Sequence, residues 1–146
     1  MSFLDAFQGY YQIPLVLSDK EKTTFLSPTR NYHYRVMLFG LKNARSTYQR
    51  MVTRMFEDQL GKNVEAYIDD MVVESKKESE HLTYLEEVFT ILRKHKLRLN
   101  AFKCSLGVGF GKFLGYMITH RGIEVNLNQI KAIHNLHPPR NSKEVK

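Results

Sequence analysis

Ala66-Tyr67-Ile68-Asp69-Asp70-Met71-Val72-Val73 sets two adjacent carboxylates between apolar runs too short to be anything but strands. Val64, Ala66 and Ile68 on one side and Met71, Val72 and Val73 on the other read as buried or half-buried strand, and a two-residue joint between them predicts a hairpin with Asp69 and Asp70 at its tip. Asp suits turns for local reasons, because its side chain accepts hydrogen bonds from nearby backbone, so a plain polar turn is one reading of the pair. Against it, tight hairpin turns favour Gly or Asn at a central position, and like charges side by side repel unless a cation or a shifted pKa relieves them. Hard cations such as Mg²⁺ are held by one or two carboxylates together with substrate phosphates. Asp69 and Asp70 are thus candidates for half of a phosphoryl-transfer site.

The 146 residues suit about one domain. Lys and Arg number 22 against 15 Asp and Glu, a net charge of +7 that suits a polyanionic partner, nucleic acid first and an anionic membrane surface second. The single cysteine, Cys104, excludes an internal disulfide framework and a Cys-rich zinc site, and reads as a small buried hydrophobe. No run approaches the roughly 18 apolar residues of a membrane span, and no signal-peptide pattern opens the chain. A soluble, intracellular protein is the expectation.

Phe3-Leu4-Asp5-Ala6-Phe7 reads as a strand that begins abruptly, as if cut from something longer; Asp5 is either exposed at a strand end or a third carboxylate aimed at the hairpin. Gly9 and Pro14 break that strand, Ser18 to Lys22 is a polar connector, and Thr23 to Leu26 and Tyr32 to Met37 form a strand pair joined around Pro28 to Asn31. Apolar residues from Ala44 to Leu60 recur at helical spacing, with Gly61 as C-cap. Ser75 to Glu78 has capping-box spacing ahead of a second helix over 79–97. Its late basic residues, Arg93 to Arg98, serve equally as a dipole-matched helix end or a phosphate-binding face. Lys112 to Ile118 and Gly122 to Val125 read as a further hairpin, Asn126 to Leu136 as a short helix and Pro138 to Ser142 as a linker. The order predicts an α+β fold, a βαββαβ unit whose antiparallel sheet carries helices on one face. That ferredoxin-like layout sets the Asp5 strand beside the hairpin, where Asp5 can approach Asp69 and Asp70.

FLDAFQGYYQI (3–13), LFGLKNARSTYQRM (38–51), YIDD (67–70), LRLNAFKC (97–104) and KFLGYMI (112–118), in this order and with these gaps, resemble the successive motifs of a reverse transcriptase palm. The likeness is to polymerases of gypsy-type long-terminal-repeat retrotransposons, of plant type, and runs across nearly the whole chain. It implies an RNA-directed DNA polymerase in which Asp5, Asp69 and Asp70 are the catalytic carboxylates. They would hold two Mg²⁺ ions, with Mn²⁺ as substitute, one activating the primer 3′-hydroxyl and one steadying the leaving pyrophosphate. It places Tyr10 as a steric gate against ribonucleotides, Phe39, Gly40 and Gln49 against the incoming nucleotide and template, Lys103 near the triphosphate, and Phe113 to Tyr116 at the turn that grips the primer. It implies a palm over 1–125, with part of the fingers around 18–37, and the start of a thumb or connection segment over 126–146. The implied partners are deoxynucleoside triphosphates, a primed RNA or DNA template and the missing fingers, thumb, connection and ribonuclease H segments of a polyprotein. The implied location is the cytoplasm, in virus-like particles, or the nucleus, with no membrane involved.

Departures from the family pattern are Leu38 where it has Pro, Arg45 at a small-residue position, and Ala101 and Phe102 where it has Pro and an acid. Orientation of reactants is worth about 7–11 kcal/mol, so a palm without its triphosphate clamp is expected to keep a metal site and show little or no activity alone. Two alternatives compete: a non-catalytic RNA-binding module of the same layout, whose sheet aromatics would stack on bases, and a relic open reading frame. Gly107 to Gly111 lacks the spacing of a phosphate loop, and His134 and His137 lack partner ligands for zinc.

Overall fold

Residues 1–124 and 127–135 are described by the structure, a computed structural model. The elements are β1 (Ser2–Asp5), α1 (Leu17–Lys20), β2 (Phe25–Leu26), β3 (Asn31–Tyr32), α2 (Ala44–Met55), β4 (Val64–Tyr67), β5 (Asp70–Val73), α3 (Glu78–Lys94), β6 (Phe110–Phe113), β7 (Tyr116–Thr119), β8 (Gly122–Glu124) and α4 (Leu127–His134). They fall into two compact units, Met1–Val108 and Gly109–Lys146.

In the first unit the antiparallel sheet runs β1-β5-β4. Strand alternation sends Leu4, Met71, Val73 and Val64 into one core, where α2 contributes Tyr48, Val52 and Met55 and α3 contributes Leu85, Val88 and Leu92. These residues recur at helical spacing because one stripe of each helix must leave water; burying each large apolar side chain contributes about 1.5–3 kcal/mol. Among the described residues, none of the helices is long and apolar enough to cross a membrane.

Three local expectations are corrected. The strand expected over 113–118 does not extend this sheet. Residues 98–105 run along the free edge of β1 instead, through bridges Phe3–Ser105 and Ala6–Leu99, with Asn100 N–H donating to Asp5 O at 2.8 Å. Residues 110–124 form a separate sheet, β6-β7-β8, because Leu114 (φ 52°) and Gly115 (φ 83°) supply the two positive φ values of a tight hairpin turn and split the apolar run. The helix expected to reach residue 60 ends at Met55, with Phe56 as C-cap.

The third correction concerns Ser75. The first residues of α3 carry no side-chain cap, and Ser75 Oγ lies 3.1 Å from Nδ1 of His81. His81 Nε2 lies 2.8 Å from Oγ of Ser2, which accepts from Gly107 N–H at 3.0 Å. The two ring nitrogens of His81 thus bridge Ser2 and Ser75, tying α3 to β1. Burial, and then the N-terminal ammonium, hold His81 below its ordinary value of 6.5. The neutral form is therefore favoured by folding, so the stability it contributes is present above pH 6.5 and is lost as pH falls below it. Urea unfolding at pH 7.5 and pH 5 is expected to show this loss, and His81→Gln to flatten it.

The calls on Val125, Asn126, Leu136, His137 and the linker from Pro138 to Ser142 lie outside the described residues, as does most of the segment assigned to a thumb or connection.

Candidate active site

The register of the first sheet sets Asp5 of β1 directly opposite Asp70 of β5, and Asp70 opposite Tyr67 of β4. Two carboxylates and an aromatic ring thus form one row across three strands, with Asp5 and Tyr67 at its ends. Asp70 is the first residue of β5 rather than a tip residue. The turn consists of Ile68 and Asp69, one position earlier than expected, and Ile68 carries its positive φ of 53°. A β-branched residue in that region is an outlier that costs on the order of 1–3 kcal/mol.

The Gln49 amide over-determines that turn. Its Nε2 donates to Ala66 O at 3.1 Å, and its Oε1 accepts from Ile68 N–H at 2.8 Å. Ala6 N–H donates to Asp69 O at 2.8 Å and continues the β1–β5 pairing to the turn. The structure thus places Gln49 against the hairpin that presents the carboxylates.

Asp69 Oδ1 and the Tyr48 hydroxyl are buried, and neither has a hydrogen-bond partner among the described residues. Gly9 lies between them: a Cβ there would meet Asp69 Oδ1 and would stand 2.5 Å from Tyr48 Oη. Tyr10 packs edge-on against Tyr48 (5.4 Å between centroids) and Phe39 (5.8 Å). Phe39 is 80% exposed, and Gly40 follows at φ 96°. The edge segment 98–105 brings Lys103 Nζ to 3.4 Å from Asp5 Oδ2, a pair whose lysine is 65% exposed and therefore weak. Asp5, Asp69, Asp70, Tyr10, Phe39, Gly40, Gln49 and Lys103 all lie within the first unit. Phe113 to Tyr116 form the β6–β7 turn of the second unit.

Arg45, the departure in the second motif, lays its guanidinium 5.1 Å from the centre of the Tyr67 ring. With Lys42, Ser46, Gln49 and Ile68 these two residues line a groove beside the hairpin. A further cleft, bordered by Asp58, Lys62, Glu74 and Glu80, lies at the other end of the hairpin and has no link to the carboxylate row.

The electrostatics follow from the crowding. Burial raises Asp69, the Tyr48 hydroxyl draws it back down, Asp5 and Asp70 raise it further, and Lys103 lowers it. Desolvation and then Asp5 raise Asp70, with Lys103 opposing. Tyr48 is held well above its ordinary range by burial first, then by Asp69. Among the described residues no three His, Cys, Asp or Glu side chains are grouped closely enough to hold a metal ion. The donors fit a hard divalent cation in their chemistry: carboxylate oxygens only, two of the groups in register, and a buried Asp69 oxygen without a partner.

Tyr48 and Gly9 are the members the sequence reading missed. Tyr48 reads as one more residue of an apolar helical stripe and Gly9 as a strand breaker; the available signal was that a buried tyrosine hydroxyl requires a partner.

Residues 1–118 match the family described as reverse transcriptase (RNA-dependent DNA polymerase). The chain belongs to that family. It is 34% identical over 143 residues to the retrovirus-related Pol polyprotein from transposon 297 of Drosophila melanogaster, covering 98% of this chain and 14% of that protein. It is 32% identical over 130 residues to the Pol polyprotein from transposon gypsy of the same fly, 89% of this chain and 13% of that one. In fold it matches the foamy viral protease-reverse transcriptase in complex with double-stranded DNA, with a TM-score of 0.86, 26% identity, and coverage of 99% of this chain and 25% of that one. The same viral protein in complex with an RNA/DNA hybrid matches with a TM-score of 0.82 and 26% identity over 99% of this chain and 19% of that one. The chain therefore spans about one seventh of the polyproteins it resembles.

Proposed function

We propose that this chain is the catalytic palm of an RNA-directed DNA polymerase, adding deoxynucleotides to a primer 3′-hydroxyl on an RNA or DNA template. The observation that carries the reading is the in-register pairing of Asp5 with Asp70, next to Asp69 on a turn clamped by Gln49. Asp5, Asp69 and Asp70 would hold divalent cations. When bound, such ions neutralise charge on the reacting phosphates and lower the pKa of the attacking hydroxyl. Tyr10, braced between Tyr48 and Phe39, offers a ring edge that limits the space at the sugar. Lys103 adds positive charge beside Asp5, and the surplus of 22 Lys and Arg over 15 acids favours the template backbone. The competing RNA-binding module needs aromatics on a central strand, and the central strand β5 is Asp-Met-Val-Val.

Calorimetric titration with Mg²⁺ and Mn²⁺, paired with primer extension on a primed RNA, tests the reading. The wild-type chain is expected to bind cation, Asp5→Asn and Asp70→Asn to lose that binding, and extension by this one-seventh span to be weak and abolished by either change. Asp70→Asn should also melt higher at pH 7. A carboxyl raised by folding contributes stability below its unfolded value of 3.8 and loses it as pH rises through the folded value, so at neutral pH the charge opposes folding. Cation binding that survives both substitutions, or no binding at millimolar concentration, overturns the reading.

A further inference from the structure

The Tyr48 hydroxyl is buried and, like the nearby Asp69 Oδ1, has no hydrogen-bond partner at its present position, in a residue that is 0% exposed. A buried hydroxyl left so costs about 1–3 kcal/mol, as does the buried carboxylate oxygen at Asp69. Phe would fill the same apolar stripe without that cost. The two orphaned atoms, one a donor and one an acceptor, flank the same small space, kept open because residue 9 has no side chain. We propose that Tyr48 is a positioning residue whose hydroxyl donates to Asp69 Oδ1 across the gap at Gly9, fixing the carboxylate so that its other oxygen is left for a cation.

The proposal rests on the divalent-cation reading above and adds to it a partner outside the carboxylates. The hydrogen bond reaches the site from the helix core, and α2 thereby holds the turn at two successive residues: Tyr48 sets the Asp69 side chain while Gln49 sets the Ile68 backbone. Loss of a hydrogen bond that orients a metal-binding carboxylate typically weakens cation affinity about 10- to 100-fold. Because Tyr48→Phe keeps the ring, its packing against Tyr10 and the filling of the core should persist.

Two measurements on the full chain test it. Free Mn²⁺, followed by its paramagnetic resonance signal at fixed pH and at a temperature where both proteins are fully folded, is expected to show at least about tenfold weaker binding by Tyr48→Phe. Without metal, the wild-type NMR spectrum is expected to show a slowly exchanging tyrosine hydroxyl proton, absent from Tyr48→Phe and coupled through the hydrogen bond to the Asp69 carboxyl carbon. A Tyr48→Phe affinity within twofold of wild type, or a hydroxyl proton without that coupling, overturns the proposal while leaving the carboxylate reading standing. A wild-type chain that shows the coupling but binds no Mn²⁺ overturns the cation reading and, with it, the positioning role.

Discussion

Gln49→Leu is expected to destabilise the chain by about 2–4 kcal/mol and to remove cation binding, although Leu is a good helix former of similar size. The substitution strands two backbone groups. Ala66 O, on the edge strand β4, and Ile68 N–H, in the turn, would lose the partner that Gln49 supplies, where no neighbouring strand stands ready to replace it. Ile68 would then be free to leave its positive φ of 53°, relaxing strain that the amide now holds in place. Relaxation of Ile68 moves Asp69, the next residue, and breaks the continuation of the β1–β5 ladder at Ala6 N–H to Asp69 O. Gln49→Glu separates the two halves of the clamp: a carboxylate still accepts from Ile68 N–H but faces the Ala66 carbonyl with no proton to give. Urea unfolding and Mn²⁺ affinity should therefore place Glu between Gln and Leu. Equal stability of all three would mean that the turn holds itself.

That turn also marks where the sequence stops being legible. The strands on either side of Asp69 and Asp70, both main helices and the approach of Asp5 follow from apolar periodicity and βαββαβ order, because burial of one face decides them. Sequence alone puts the tip one residue late because Asp is a good turn residue and Ile a poor one. Local propensity argued for Asp69-Asp70, while the Gln49 clamp and the Asp5–Asp70 register put the strained position on Ile68. Tertiary contacts likewise overrode the capping-box reading, since Ser75 bonds the His81 ring rather than the helix backbone. The misplaced last strand has a similar origin: 113–118 has strand composition, but nothing in its pattern says which sheet it joins. Residues 98–105, polar and irregular, take the edge of β1 through a few backbone hydrogen bonds, helped by Gln12, whose Oε1 accepts from Arg98 N–H at 2.8 Å. That edge is what delivers Lys103 to Asp5.

Gly9→Ala is the smallest change with a large expected consequence, a loss of about 1–3 kcal/mol in stability together with loss of cation binding. The backbone at residue 9 is not in the left-handed region, so alanine meets no conformational objection and the cost is steric. The added methyl would occupy the space that Asp69 Oδ1 and the Tyr48 hydroxyl border, 2.5 Å from Tyr48 Oη and 2.7 Å from its ring carbon Cζ. Tyr48 cannot easily retreat, being fully buried and wedged against Tyr10, so Asp69 is the side chain that must rotate. Combining Gly9→Ala with Tyr48→Phe removes the hydroxyl contact and leaves the ring contact, so stability should recover in part. Cation binding should not recover, since the carboxylate is still displaced and has also lost its donor. Full recovery of binding in the double variant would show that Asp69 needs neither the gap nor the hydroxyl, and that the glycine serves only to let the tyrosine pack.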